Sequence, residues 1–133
     1  MRVFLDTNVL VSAFTTRGLC EDVLREVLAS HDLIVSVLLF NELERTLRGK
    51  FKIPKTLISE ILIFFGEDTI LSKVGDYPDV EIRDQDDLAM LSCALEGRAD
   101  IFVTGDKELI ELRRVSDLEI LSPRAFWEKL KET

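Results

Sequence analysis

The stretch Val3-Phe4-Leu5-Asp6-Thr7-Asn8, together with its counterpart Ile101-Phe102-Val103-Thr104-Gly105-Asp106, decides the fold. In both stretches three consecutive apolar residues are followed at once by polar residues that favour a turn or a helix start. A short run that is apolar at every position is typical of a strand buried on both faces, as in a parallel sheet covered by helices. Each stretch therefore predicts a buried strand, over 3–5 and 101–103, that leads towards an aspartate.

Predicted helices and strands alternate along the rest of the chain. Helical spacing of apolar residues predicts a first helix from Asn8 or Val9 to the break at 15–18, and further helices over 19–28, 38–47, 54–65 and 88–96, after Asp106 and from Pro123. Further strands are predicted over 33–35 and 118–121, and alternation over 69–74 indicates another. We find no linker, repeat or low-complexity segment, so a single domain over 1–133 is expected. The predicted fold class is α/β, a three-layer α/β/α sandwich with a mostly parallel central sheet similar to Rossmann folds.

The composition places the chain among soluble intracellular proteins. Its 133 residues contain 17 Lys plus Arg and 25 Asp plus Glu, a formal net charge of −8. No apolar window is long enough to span a membrane, and Asp6 comes too early for a signal peptide, so a cytoplasmic location is expected. Cys20 and Cys93 lie in helical patterns and are interpreted as free, buried thiols. The excess of acids taken alone argues against nucleic-acid binding, because Lys and Arg supply most of the affinity for phosphates.

The positions of four acids change that argument. Asp6 and Asp106 follow two buried strands, Glu42 lies about two turns into the helix after strand 33–35, and Asp87 opens the helix before strand 101–103. Each acid alone is explained by helix capping, by the helix dipole or by solvation. Carboxylates gathered at the carboxyl edge of a parallel sheet would raise one another's pKa unless a cation lies between them. Mg²⁺ or Mn²⁺ is the cation expected, because these ions prefer oxygen ligands.

These residues make the chain resemble the PIN-domain family of ribonucleases over nearly its whole length. The motifs that carry the resemblance are Leu5-Asp6-Thr7-Asn8-Val9-Leu10, Asn41-Glu42-Leu43, Asp84-Gln85-Asp86-Asp87 and the segment Ala99 to Lys107. The set is most similar to the subgroup of toxin components of toxin–antitoxin pairs.

The resemblance implies a site and a reaction. The family's acidic quartet falls on Asp6, Glu42, Asp87 and Asp106, which would be both catalytic residues and ligands for one or two Mg²⁺ or Mn²⁺ ions. Asp84 and Asp86 are alternatives to Asp87 or contribute through water, and Asn8 and Thr104 match positions that brace the acids. The implied reaction is metal-assisted hydrolysis of RNA, leaving a 5′-phosphate and a 3′-hydroxyl.

A basic segment over 45–55 contains five Lys or Arg residues and no acid. Arg45, Arg48, Lys50 and Lys52, with Arg17 on the other side, are candidate contacts to the RNA backbone, and a solvated helix end is the alternative interpretation. Phe51 either stacks on a base or anchors its loop to the core. The apolar stretch 57–65 either packs in the core or faces a second subunit or partner, and the resemblance implies a homodimer and an antitoxin partner.

Three other functions are alternatives to the nuclease. A phospho-receiver domain needs a pair of acids after its first strand, where Asp6 stands alone, and a haloacid-type phosphatase needs a second aspartate where this chain has Asn8. The remaining alternative is a PIN-like module of weak or no activity that binds RNA or protein. The four acids favour the metal-dependent endoribonuclease.

Overall fold

A computed structural model describes residues 1–132 of the chain. The elements follow in the order β1 (Arg2–Leu5), α1 (Thr7–Thr15), α2 (Leu19–Ser30), β2 (Asp32–Ser36), α3 (Val37–Gly49), α4 (Lys55–Gly66), β3 (Ile70–Ser72), α5 (Gln85–Glu96), β4 (Ile101–Val103), α6 (Lys107–Leu112), β5 (Arg114–Val115), β6 (Leu118–Leu121) and α7 (Pro123–Lys131). This order confirms the predicted alternation of strands and helices.

The strands form one sheet in the order β3-β2-β1-β4-β6-β5, in which every pairing is parallel except that between β5 and β6. Val3 of β1 pairs with Leu33 on one side and with Ile101 on the other. The chain leaves β1 for β2 and β3 in one direction and returns to β4 in the other. The gap between β1 and β4 is therefore the switch point at which parallel α/β sheets bind ligands.

Helices cover both faces of the sheet. α1 packs against α2 and α3, and α2 packs against α7, so these helices form one layer. Right-handed crossover connections place α5, which joins β3 to β4, on the opposite face. The architecture is the α/β/α sandwich that the sequence predicts.

Residues of β1 and β4 form the centre of the hydrophobic core. The Phe4 and Phe102 rings stack with centroids 5.3 Å apart and an interplanar angle of 6°, and both side chains are fully buried. Val3, Leu5 and Val103 point to the opposite face of the sheet and are also fully buried. Burial on both faces is what the unbroken apolar runs predict.

The main difference from prediction lies after α6. Arg113 and Ser116 adopt positive φ angles of 62° and 55°, and between them Arg114–Val115 forms a strand antiparallel to β6. Two residues carry no periodic signal, so the sequence does not predict this strand. Helix α5 also begins at Gln85 rather than near Leu88, because Asp84 accepts a hydrogen bond from the Asp86 N–H and caps it.

Two expectations from the composition can be compared with the structure. Cys20 and Cys93 are both free, and Cys93 is buried as expected, whereas Cys20 is only half-buried. Within residues 1–132, every helix is too short or too polar to cross a bilayer.

Replacing Phe102 by Ala is expected to lower the free energy of unfolding by about 3–5 kcal/mol, because it leaves a cavity beside Phe4 in the centre of the sheet. Phe64→Ala is the matched control: this side chain is 55% exposed, and its loss should cost less than about 1 kcal/mol. Urea denaturation followed by circular dichroism measures both. Equal losses in the two variants would contradict the assignment of the core.

Candidate metal centre

Asp6 lies at the carboxyl end of β1, directly beside β4. Its N–H donates to the carbonyl of Val103 at 2.9 Å, which extends the β1–β4 ladder by one bond. The side chain turns back onto α1, where Oδ1 accepts from the Thr7 N–H at 2.8 Å and caps the helix. Only 5% of the residue is exposed to solvent. The end of the strand and the start of the helix thus fix this carboxylate in place.

Asn8 and Thr104 connect Asp6 to the loop after β4. The Thr104 hydroxyl donates to Asp6 Oδ2 at 2.8 Å, and the Asn8 amide donates to the same oxygen at 3.2 Å. Asn8 Oδ1 in turn accepts from the Gly105 N–H at 3.0 Å, and Thr104 Oγ1 accepts from the Asp106 N–H at 3.1 Å. Asp106 Oδ1 caps α6 by accepting from the Glu108 N–H. One network of hydrogen bonds therefore positions Asp6 and the start of the Asp106 loop.

Burial and mutual repulsion raise the pKa of two of the acids. Burial is the largest cause for Asp6 and raises its pKa to about 6, although the hydrogen bonds from Thr104 and Thr7 act in the opposite direction. The pKa of Asp87 is raised to about 7, first by desolvation and then by Asp6, Asp84, Asp106 and Glu42. Negative charge from four segments of the chain accumulates around Asp6 and Asp87, and the nearby Arg45 acts on Glu42 rather than on these two acids.

Glu42 is half-buried on α3 and faces the same acids. Burial raises its pKa, and repulsion from Asp86 and Asp84 adds to that effect. The Thr7 hydroxyl lies towards this carboxylate and lowers the pKa, but it does not reach hydrogen-bond geometry and remains buried without a partner.

The sequence leaves open which acid of 84–87 belongs to the site. Asp84 and Asp86 are exposed at the start of α5, whereas Asp87 is half-buried and lines the same cavity as Asp6 and Glu42. Of these three acids, Asp87 is the one that lines the cavity and is therefore the best placed to bind an ion, whereas Asp84 and Asp86 are more exposed.

The acids fit a hard cation, but not as a ready-made cage. No three Asp, Glu, His or Cys side chains within residues 1–132 converge closely enough to hold an ion by themselves. Mg²⁺ is usually held by one or two carboxylates, with water and substrate phosphates completing the shell. The oxygen-only donor set, the unpartnered Thr7 hydroxyl and the uncompensated charge around Asp6 suit this open type of site.

A cavity of about 450 Å³ opens beside Asp6, Glu42 and Asp87. Its remaining lining consists of Thr7, Asn8, Val11, Ser12, Thr15, Thr16, Thr46, Lys50 and Phe51. Asp106 lies on the other side of Asn8, where it lines a neighbouring cavity with Gly105.

The sequence analysis did not predict the hydroxyl groups that line the cavity beside Asp6. The signal for them was the polar set Asn8, Ser12 and Thr15, which recurs at helical spacing along one face of α1.

The candidate RNA-binding residues divide into two groups. Arg45 acts on the Glu42 carboxylate, lowering its pKa, and Lys50 lines the cavity. Arg48 instead forms an ion pair with Glu44 at 3.7 Å, while Lys52 and Arg17 are exposed and are not among the residues that line the cavity. Contact of these five residues with the RNA backbone stays a prediction.

Comparison with known proteins agrees with this architecture. A family model for the PIN domain matches residues 2–108. The chain is similar in fold to the solved structure of VapBC2 from Rickettsia felis bound to a DNA fragment from their promoter, with a TM-score of 0.61 at 19% identity, covering 92% of this chain and 98% of that one. It is likewise similar to VapBC-1 from nontypeable Haemophilus influenzae, with a TM-score of 0.61 at 17% identity and coverage of 93% and 99%. A search of curated proteins gives no significant match.

Asp87→Asn is expected to stabilise the ion-free protein at neutral pH. Because folding raises the pKa of Asp87 to about 7, the folded state holds a proton that the unfolded state has released. The contribution of Asp87 to the free energy of unfolding is therefore fully present near pH 4, where its carboxyl is protonated. It is lost as the pH rises to about 7. The variant should show a flatter dependence of Tm on pH and a higher Tm than wild type at pH 8.

Thermal unfolding in EDTA between pH 4 and 8 measures this difference. Asp117→Asn, at an exposed turn between β5 and β6, should keep the wild-type pH profile. A Tm difference between Asp87→Asn and wild type that is the same at pH 4 and pH 8 would contradict the prediction.

Proposed function

The chain belongs to the PIN-domain family, and from that membership we propose that it is a metal-dependent endoribonuclease that hydrolyses RNA phosphodiester bonds. The observation that carries the proposal is the grouping of Asp6, Glu42 and Asp87 at one cavity, with Asp106 linked to Asp6 through Thr104. Ionised carboxylates that lie close together repel one another, which destabilises the folded state. A divalent cation that also binds phosphate would offset this repulsion.

The residues have distinct roles in the proposed reaction. Asp6, Glu42, Asp87 and Asp106 hold one or two Mg²⁺ or Mn²⁺ ions, and Asn8 and Thr104 keep the Asp6 carboxylate in a fixed orientation through their hydrogen bonds. When bound, such an ion supplies Lewis acidity towards water and the scissile phosphate. A bond forms between the water oxygen and phosphorus while the bond from phosphorus to the 3′ oxygen breaks, which leaves a 5′-phosphate and a 3′-hydroxyl. Lys50 and Arg45 supply positive charge for the RNA backbone at the margin of the acids.

We further propose that this nuclease acts in the cytoplasm as the toxin of a toxin–antitoxin pair. The support is the likeness in fold to chains of two VapBC structures over more than nine-tenths of the sequence. The partner would then be an antitoxin protein that covers the acidic cavity, and a short gene for a DNA-binding protein next to this one would support the pairing over a role in general RNA processing.

Exposed apolar side chains on α4 support a homodimer. Ile58 and Phe65 are buried, but Leu57, Ile63 and Phe64 remain 46%, 66% and 55% exposed. Contiguous apolar surface on a protein with this much charge marks an interaction surface. A second copy of the chain is the occupant proposed, because two such faces are mutually complementary.

Wild-type protein is expected to cut single-stranded RNA in Mg²⁺ or Mn²⁺ but not in EDTA. Asp6→Asn and Asp106→Asn should each lower the cleavage rate by at least about 100-fold, because ion binding is lost. Denaturing gels of end-labelled RNA measure the rate, and Asp117→Asn is the matched control with wild-type activity.

The same preparations need a check of metal loading by thermal shift, since an ion that binds the folded state raises Tm. If protein that is demonstrably metal-loaded binds RNA but cuts none of a broad panel, the binding-module alternative replaces the nuclease.

Ile63→Lys is expected to dissociate the proposed dimer, because a charge in the centre of an apolar interface is left unpaired. Sedimentation velocity should report a dimer for wild type and a monomer for the variant, with the circular dichroism spectrum unchanged since Ile63 is largely exposed. The control is Val37→Lys, at an exposed apolar residue of α3, which should remain dimeric. Wild type that sediments as a monomer at all concentrations rules out this dimer.

A further inference from the structure

Apart from Lys50, the residues that line the part of the cavity beyond the acids have no role in the proposed chemistry. The C-terminal half of α1 contributes Ser12, Thr15 and Thr16, and the end of α3 with the following turn contributes Thr46, Lys50 and Phe51. The whole cavity, at about 450 Å³, has the size of a small-molecule site. Building on the proposed function, we infer that this region binds one unpaired nucleotide of the RNA, next to the scissile phosphate, with its base stacked on Phe51.

Phe51 has the properties of a stacking platform. It is 38% exposed, and it is absent from both the buried core and the half-buried apolar side chains packed against that core in residues 1–132. The alternative that Phe51 anchors its loop to the core is therefore not supported. A tight turn holds the ring in place, since Lys52 adopts a φ of 52° and the Ile53 N–H donates to the Leu47 carbonyl at 3.0 Å. An exposed, fixed aromatic ring beside a cation is a typical contact for an unpaired base.

Lys50 supplies the positive charge of the subsite. Its Nζ lies 5.7 Å from the centroid of the Phe51 ring, and within residues 1–132 no carboxylate lies within 4.0 Å of this ammonium group. The ammonium group is thus available to a phosphate, whereas Arg48 nearby is paired with Glu44. A phosphate on Lys50 places the attached base over the adjacent ring.

The hydroxyl groups of α1 suit the sugar and the base better than a phosphate. Thr15 Oγ1 donates to the Val11 carbonyl and Thr16 Oγ1 donates to the Ser12 carbonyl, each at 2.8 Å. Because their protons are engaged in the helix, both oxygens act as acceptors. Thr15 Oγ1 is the freer of the two, since Thr16 Oγ1 also accepts from the Ser12 hydroxyl at 3.2 Å. Acceptors of this kind match the 2′-hydroxyl of ribose and the N–H groups of bases.

The arrangement selects single-stranded RNA. A base in a duplex is paired and stacked on its neighbours, so it cannot also lie on a ring within a concave site. The duplex would contact the protein through its backbone alone, and that contact does not involve Phe51.

The test is fluorescence anisotropy with a labelled 12-nucleotide oligouridine at low salt in EDTA, where no cleavage occurs. Phe51→Ala should weaken binding at least about fivefold, the lower end of the loss for one stacked base, whereas Phe51→Trp should retain or strengthen it. Tyr77→Ala is the control, an exposed aromatic residue outside the cavity lining, and should bind as wild type does. A 12-base-pair RNA duplex should bind wild type and Phe51→Ala equally.

A second readout locates the base directly. Oligouridine that carries 4-thiouridine should crosslink under ultraviolet light to residues 50–51, as mapped by mass spectrometry. Equal affinity of wild type and Phe51→Ala for the single strand, or crosslinks confined to other segments, would overturn the inference.

These measurements separate the inference from the proposed function. RNA binding that depends on Phe51 in a protein that never cuts RNA would support the subsite and refute the nuclease. If wild type cuts RNA and Phe51→Ala binds RNA as tightly as wild type does, the nuclease is supported and the subsite is refuted.

Discussion

The burial of one carboxylate, that of Asp6, is the constraint on which the rest of the site depends. A buried acid loses its hydration, and the loss is tolerated only when donors replace the water. Here the donors are the Thr7 N–H, the Thr104 hydroxyl and the Asn8 amide. Thr104 belongs to the segment after β4. The pairing of β4 with β1 therefore also brings in the donor that completes the hydrogen bonds of Asp6. The stacked rings of Phe4 and Phe102, at paired positions of the two strands, stabilise that pairing.

The fold was largely predictable, because its central strands are buried on both faces and carry unbroken apolar runs. The positions of Asp6 and Asp106 follow from the same runs, since both acids come just after strands that turn out to be neighbours. The meeting of Glu42 and Asp87 with Asp6 is different. It depends on how α3 and α5 pack, which no local spacing encodes. The order of strands and helices suggested this meeting, and the resemblance to a family specified it. The strand β5 was missed because two residues carry no periodic signal, and the hydroxyl lining was missed although its residues recur at helical spacing on α1.

The charge distribution is compatible with the anionic substrate that we propose for this acidic protein. The net charge of −8 opposes binding over most of the surface, and the basic segment over 45–55 offsets it in one direction only. Of the candidate cations, Arg48 is neutralised by Glu44, which leaves Lys50 and Arg45 beside the acids. A divalent ion reverses the sign of the potential at the site itself.

The hydrogen bond between Thr104 and Asp6 joins residues 98 positions apart in the chain, and this separation has a consequence for biosynthesis. The strands β1, β2 and β3 and their helices are all translated before β4, which must then insert against the free edge of β1. Contacts of such long range form late in folding. A nascent chain that ends before Thr104 contains Asp6, Glu42 and Asp87 but lacks the donor that completes Asp6. The arrangement of acids is thus completed only after Thr104 has been synthesised and β4 has paired with β1.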